Sequence, residues 1–398
     1  MSKRILILDC GPGVAQAIAK AHTLGYYVVT ISEQDTTPTP GGDEVRFGEL
    51  WVHDAIGQVL DECRIDGILQ PFGYASFPVT VAASKLKMRA LTQFAAVEMQ
   101  VRHTGATVME KRGAPVITLR FAETPVQAQE AACEFGLPVW IDADETYSQA
   151  PIIRVDEIED LSLAFSRATR QSLLKNAVVM PVVQGNTFYV DGVMIDGTFY
   201  FSGLIGVDAG EPPFRFERGI AAPPPVSGHE RDQMVRVTKQ ALAALDCIDG
   251  CVHAEVILTH QGPVVLGMFG APAALRFPAD ILLLAHGVDT IANALRFAVG
   301  ESLRMETTRD RGAAISWIPT HSGVVTEIRG IEEARGVPGV EEIVIVAKPG
   351  DVMGHVVDCE TRNRVGYVLA TGENAQDATR AAKRARDLCE IVTRPAYT

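Results

Sequence analysis

Ile5 to Asp9 is a short apolar run, Cys10-Gly11-Pro12-Gly13 is a glycine turn, Val14 to Leu24 keeps a helical period up to Gly25, and Tyr26 to Ser32 is apolar again. Strand, turn, helix and strand in immediate succession form a βαβ unit, which implies a parallel sheet. Gln16 and Ala17 stand where a dinucleotide fingerprint needs its third glycine, so the turn reads as packing helix on strand rather than as a phosphate cradle.

Beyond a Thr-, Pro- and Gly-rich loop at Thr36 to Asp43, the pattern predicts a strand at Ile65 to Leu69 and a helix over Pro78 to Val97. A second block has helix Pro125 to Phe135, strands Leu137 to Ile141 and Ile152 to Val155, and helix Ile158 to Leu173. Val178 to Val183, Thr187 to Ile195 and Thr198 to Leu204 follow as strands separated by Gly185-Asn186 and Asp196-Gly197 turns, which is an antiparallel α+β pattern. Helix Glu230 to Leu245, a strand pair around Gln261-Gly262-Pro263, helix Asp289 to Val299 and a polar Met305 to Gly312 linker come next. The chain closes with strands Val340 to Val346 and Arg364 to Thr371 and helix Ala375 to Cys389. With 398 residues, several cores are expected. The expected units are 1–100, 101–305 (lobes 101–177 and 178–305) and 306–398.

A net charge of −13 without clustered Lys and Arg argues against a nucleic-acid surface. No run reaches the roughly 18 apolar residues of a spanning helix, and Met1 to Leu8 lacks the features of a signal peptide. No membrane association and a cytoplasmic location are therefore expected. The 7 scattered cysteines include no CxxC pair, and Cys247 and Cys251 read as structural thiols.

Gly136-Leu137-Pro138-Val139, Gln184-Gly185 through Tyr189-Val190-Asp191-Gly192, and Ala241-Leu242-Ala243-Ala244-Leu245 before His253-Ala254-Glu255 follow the opening βαβ unit. Gly287-Val288-Asp289, Gly323-Val324-Val325, Lys348-Pro349-Gly350-Asp351 and Arg364-Val365-Gly366-Tyr367 complete the series. Their order resembles the ATP-grasp superfamily, specifically carboxylate-amine ligases of the L-amino acid ligase type. The resemblance implies a mixed α/β and α+β ATP-grasp fold: a Rossmann-like parallel sheet, a two-lobed α+β centre and a C-terminal α+β cap. It also implies MgATP and an acyl-phosphate intermediate attacked by an amine.

Mapped onto the family pattern, most of the nucleotide machinery is missing. Asp142 stands where a phosphate lysine belongs, and Arg102 falls on the other phosphate cation. The lid segment Ala143 to Pro151 lacks glycine, the adenine hinge falls on Met180-Pro181, and Gln184 takes the place of the ribose acid. Glu255 matches the first metal carboxylate, but Gly267, Phe269 and Ala271 replace the Glu, Asn and Arg of the next strand. Mg²⁺ needs hard oxygen ligands, which these residues do not offer. Trp140 and Phe269 are expected to fill the cleft.

The expected function is that of an ATP-grasp pseudoenzyme without ATP- and Mg-dependent ligation. Two roles stay open within amino-acid or small-peptide biosynthesis. One is a non-catalytic binding module or partner of a homologous active ligase. The other is a repurposed ATP-independent enzyme with His253, Glu255 and Arg218 as acid, base and carboxylate anchor, and Arg215, Glu217 and Arg276 gripping a small carboxylate or amino acid. No cofactor is expected in either case, and a homodimer is. The alternative is an active carboxylate-amine ligase with a diverged site, in which Arg102 and Gln184 bind MgATP and Glu255 the metal.

Overall fold

The computed structural model describes residues 2–11, 13–71, 76–145, 151–170, 172–277, 279–354 and 365–395, with the backbone alone at 273 and 276. The opening unit runs β1 (Arg4–Leu8), α1 (Val14–Thr23), β2 (Tyr27–Ser32), β3 (Glu44–Phe47), α2 (His53–Glu62), β4 (Gly67–Leu69) and α3 (Ser76–Lys85). Its strands are parallel in the order β3-β2-β1-β4. Alternation along β1 sends Ile5 and Ile7 to α1, and Leu6 and Leu8 to α2 and α3, so both faces are covered. Gly13 begins α1 without a side-chain cap, and a Cβ there would collide with the Leu275 backbone. Close approach of two chain segments thus accounts for that glycine.

Next come α4 (Gln93–Gln100), α5 (Arg102–Lys111), β5 (Arg120–Ala122), α6 (Pro125–Phe135), β6 (Val139–Ala143), β7 (Ile152–Val155), α7 (Leu161–Thr169) and β8 (Ala177–Pro181). The helix expected over Pro78 to Val97 is two helices. Lys87, at φ 56°, breaks the period, and the Thr92 hydroxyl accepts the Ala95 N–H to start α4. The helix expected over Ile158 to Leu173 is likewise shorter, with a 3₁₀ turn at Ile158–Asp160 leading into α7.

The chain continues through β9 (Asn186–Ile195), β10 (Thr198–Ala209), β11 (Phe214–Arg215), β12 (Glu217–Ala222), α8 (Gly228–Ala244), β13 (Gly250–Thr259), β14 (Gly262–Phe269), α9 (Ile281–His286) and α10 (Thr290–Ala298). It ends with β15 (Gly312–Trp317), β16 (Gly323–Arg329), α11 (Ile331–Arg335), β17 (Val340–Ile345), β18 (Val352–Met353), β19 (Gly366–Gly372), α12 (Ala375–Leu388) and β20 (Glu390–Arg394). A small lobe is built on the sheet β11-β7-β6-β8-β5, and a large one on β14-β13-β9-β10-β12-β15-β19-β17. After β10 the chain crosses to the small lobe, adds β11 beside β7, and returns as β12. Strands β15, β17 and β19 extend the large sheet across the line drawn at 305, while β16, β18 and β20 form a sheet of their own.

Helix α10 also packs across an expected boundary. Ile291, Ala294, Leu295 and Ala298 join Ile5, Ile7 and Ala17 in the core of the opening unit, and Lys20 binds Asp289 at 2.7 Å. No described helix is long and apolar enough to cross a membrane. Leu295 is fully buried at this junction, so Leu295→Ala should cost about 2–5 kcal/mol. Urea denaturation followed at Trp51 should show the loss in the opening unit; an unchanged midpoint would separate α10 from that core.

Candidate functional site

Between the lobes, β6 turns Val139 and Ile141 away toward α6 and α7, leaving Trp140 and Asp142 on the opposite face. At one end of the cleft Trp140 packs with Ile117, Val178 and Met180 against Ile257 of β13 and Leu266 of β14. Backbone bonds reinforce this junction, Ile117 N–H to Val265 O and Val265 N–H to Pro115 O, each at 2.9 Å.

Next to the apolar junction, the charges pair with one another. Arg102 at the start of α5 places Nη2 3.0 Å from Asp142 Oδ2, with both side chains at most 10% exposed. Burial pushes the Asp142 carboxyl up to about 6, the Arg102 guanidinium opposing the shift. Arg215 on β11 donates from Nη2 to Glu255 Oε1 on β13 at 2.7 Å and to Thr187 Oγ1 at 3.0 Å. Opposite Glu255 in register is Gly267, and a Cβ there would lie 3.5 Å from Arg102 Nη1. Two guanidiniums and two carboxylates thus share one cleft.

A further pair lies just past the end of β6. Asp144 is fully buried; its Oδ1 accepts the His103 N–H at 2.9 Å, its Oδ2 lies 2.6 Å from His103 Nδ1, and its carbonyl accepts the Arg102 N–H at 2.8 Å. The His103 ring lies against Phe121 with centroids 4.2 Å apart.

Residues 317–394 match the family model of the L-amino acid ligase C-terminal domain 2. The structure of an L-amino acid ligase from Bacillus licheniformis superposes with a TM-score of 0.86 over 99% of each chain, at 18% identity. A carboxyaminoimidazole ribonucleotide synthase from Aspergillus clavatus, solved with ATP, superposes at 0.75 over 97% of this chain and 98% of that one, at 13% identity. The chain carries the ATP-grasp fold. Among curated sequences, the Sinorhizobium fredii protein y4rH is 28% identical over 70% of this chain, and the match spans 58% of that relative's length.

On this ATP-grasp frame the expected residues separate. Arg215 and Glu255 come together across the lobes. Glu217 is buried in the large sheet, accepting the Tyr189 hydroxyl at 2.6 Å. Arg218 does not join His253 and Glu255 as their carboxylate anchor. A bulge in the β10–β12 pairing interrupts the alternation here, and its guanidinium reaches Asp208 at 3.0 Å and Glu211 at 3.4 Å, with Lys383 on the other Asp208 oxygen. His253 is fully buried between Tyr189 and Phe269, its Nδ1 3.7 Å from Asp191 Oδ1, and neither ring nitrogen has a hydrogen-bond partner among the described residues. Gln184 lies exposed between β8 and β9. The Arg276 side chain and most of the lid segment, 146–150, lie outside the described residues.

His103 and Asp144 went unrecognised in the sequence. The available signal was spacing: acids two apart at the end of a strand project to one side, and Arg102-His103 supplies two bases at a helix start.

The folded-state carboxyl of Asp142 sits above its ordinary value of 3.8. The folded state therefore binds the extra proton, and this group's contribution to stability falls as pH rises from about 4 to 6. Removing Arg102 takes away the opposing charge. Arg102→Met should cost about 3–5 kcal/mol near pH 8 and less near pH 5, where Asp142 is protonated. Urea midpoints at the two pH values check this; equal losses would mean that Asp142 is not the group left unpaired.

Proposed function

We propose that this chain is an ATP-grasp homologue of amino-acid ligases whose cleft has exchanged magnesium-triphosphate binding for internal charge pairing. It serves as a binding module or nucleotide-free enzyme for a small carboxylate or amino acid. The buried Arg102–Asp142 contact is the observation that carries this reading. Among the described residues each cleft guanidinium already faces a carboxylate, which leaves no surplus positive charge there for a triphosphate. Pulling Arg102 toward phosphate would leave Asp142 beside a second anion, and like charges 4 Å apart repel by about 4 kcal/mol at an effective dielectric of 20. For the metal, Glu255 is already held by Arg215, and β14 presents Gly267 and Phe269 opposite Glu255 and His253. This donor set does not fit a magnesium-bridged triphosphate.

The amino-acid side of the proposal rests on the match of residues 317–394 and on the Bacillus licheniformis fold. A second reading, an active carboxylate-amine ligase, is favoured by Arg102, still a cation within reach of Gly267, and by the ATP-bound relative of like fold. Titration calorimetry decides between the two. No saturable heat is expected with MgATP, whereas binding is expected within a panel of free amino acids and small carboxylates. Micromolar, magnesium-dependent ATP binding would overturn the proposal and restore the ligase.

A further inference from the structure

The large sheet has a second face, turned away from the cleft. Along β9, Thr187 meets Arg215 between the lobes, whereas Phe188 packs under α8. On that far side α8 lies over β9, β13 and β14, and α12 over β15 and β19. Between the two helices the sheet presents mostly small side chains. Phe188, Gly206, Ala221 and Ala314 form one row in register across β9, β10, β12 and β15. Asp208, Gly219 and Ser316 form the next. Above this floor a cavity of about 510 Å³ stays open, within the size range of small-molecule sites.

The cavity has an apolar part and a charged one. Pro224, Val226 and Leu258 join Phe188 on its walls. Over the second row, Lys383 of α12 places Nζ 2.6 Å from Asp208 Oδ2, and Arg218 reaches Oδ1 at 3.0 Å. Burial opposes ionisation of Asp208, but the bonds from Lys383 and Arg218 outweigh it and hold the carboxyl below its ordinary value. One carboxylate therefore serves two cations. An ammonium has three donors, and among the described residues Lys383 uses one. Ser316, on the other side of Gly219, is 3% exposed; its Oγ accepts from Arg386 Nη1 at 3.2 Å, and its own proton goes to no partner among the described residues. The other charged groups on the walls are engaged locally: Glu230 accepts the Ser227 N–H and hydroxyl at 2.7 Å each, and Arg380 pairs with Asp377 at 3.2 Å.

We propose that this cavity is a second ligand site, separate from the interlobe cleft, and that it takes an apolar monocarboxylate. The hydrocarbon lies along the row from Phe188 to Ala314, and the carboxylate accepts from Lys383 Nζ and the Ser316 hydroxyl. An ammonium finds no equivalent place, because Asp208 is already shared by two cations. The walls come from the large lobe and from α12, so a bound acid links the closing helix to the sheet beneath it.

The test is titration calorimetry of the full chain with octanoate. Saturable binding is expected, with affinity rising about three- to fourfold per methylene from butyrate to octanoate and no comparable binding of octylammonium. Lys383→Met should weaken octanoate about tenfold. Thr379→Trp, which sets an indole into the cavity from the same face of α12, should abolish binding. Both positions are partly exposed, and circular dichroism checks that the variants fold; Lys383→Met decides if the tryptophan variant does not. A carboxylate held in the cleft would be indifferent to either substitution, so this test and the amino-acid titration fail separately. Absence of saturable octanoate binding, an affinity unchanged in folded Lys383→Met, or octylammonium binding as tightly as octanoate would overturn the proposal.

Discussion

The Arg215 guanidinium leaves a strand paired into the small lobe and ends 2.7 Å from Glu255 on the large one, so a charge pair spans the gap between the two sheets. Such a pair repays its desolvation only when its geometry is good and its remaining hydrogen-bonding groups are met. Thr187 accepts a second bond from the guanidinium, and the excursion of the chain from β10 through β11 to β12 fixes where the arginine starts. Arg102 and Asp142 are less well satisfied: Oδ2 and Nε are buried without hydrogen-bond partners despite the 3.0 Å contact. The first pair therefore ties the lobes together, while the second leaves two buried polar atoms unmet.

Local period and turn chemistry made much of the architecture readable in sequence. Pro125 to Phe135 folds as the expected helix, Ile152 to Val155 as the expected strand, and the Asp196-Gly197 turn joins β9 to β10. Single backbone events set the limits. Nothing apolar or polar in the period over Pro78 to Val97 announces the positive φ at Lys87. The destination of β15 was also hidden, because partner choice in a sheet depends on long-range register, and a linker-like stretch ahead of it looks the same whether the sheet ends or continues.

The site was legible as residue types but not as partners. Asp142 was visible as a misplaced acid and Arg102 as a surviving cation, yet only the folded chain joins them across 40 residues of sequence. Arg218 shows the reverse failure. Its neighbour Glu217 lies beneath Tyr189, but the bulge at Asp208 and Ala209 breaks the alternation and leaves the guanidinium with Asp208 and Glu211. Sequence spacing predicts side-chain direction only while the strand stays regular.

Burial separates two histidines that resemble each other as letters. His253 precedes Glu255 by two residues on β13 and looked like the natural acid–base candidate, but aromatic rings enclose it, and a water or substrate would have to displace Tyr189 or Phe269 to reach it. His103 has the opposite balance, a side chain 30% exposed that rests on a fully buried carboxylate. Proton transfer needs a base that is held in orientation and can also be reached. His253, enclosed on β13, does not meet the second requirement.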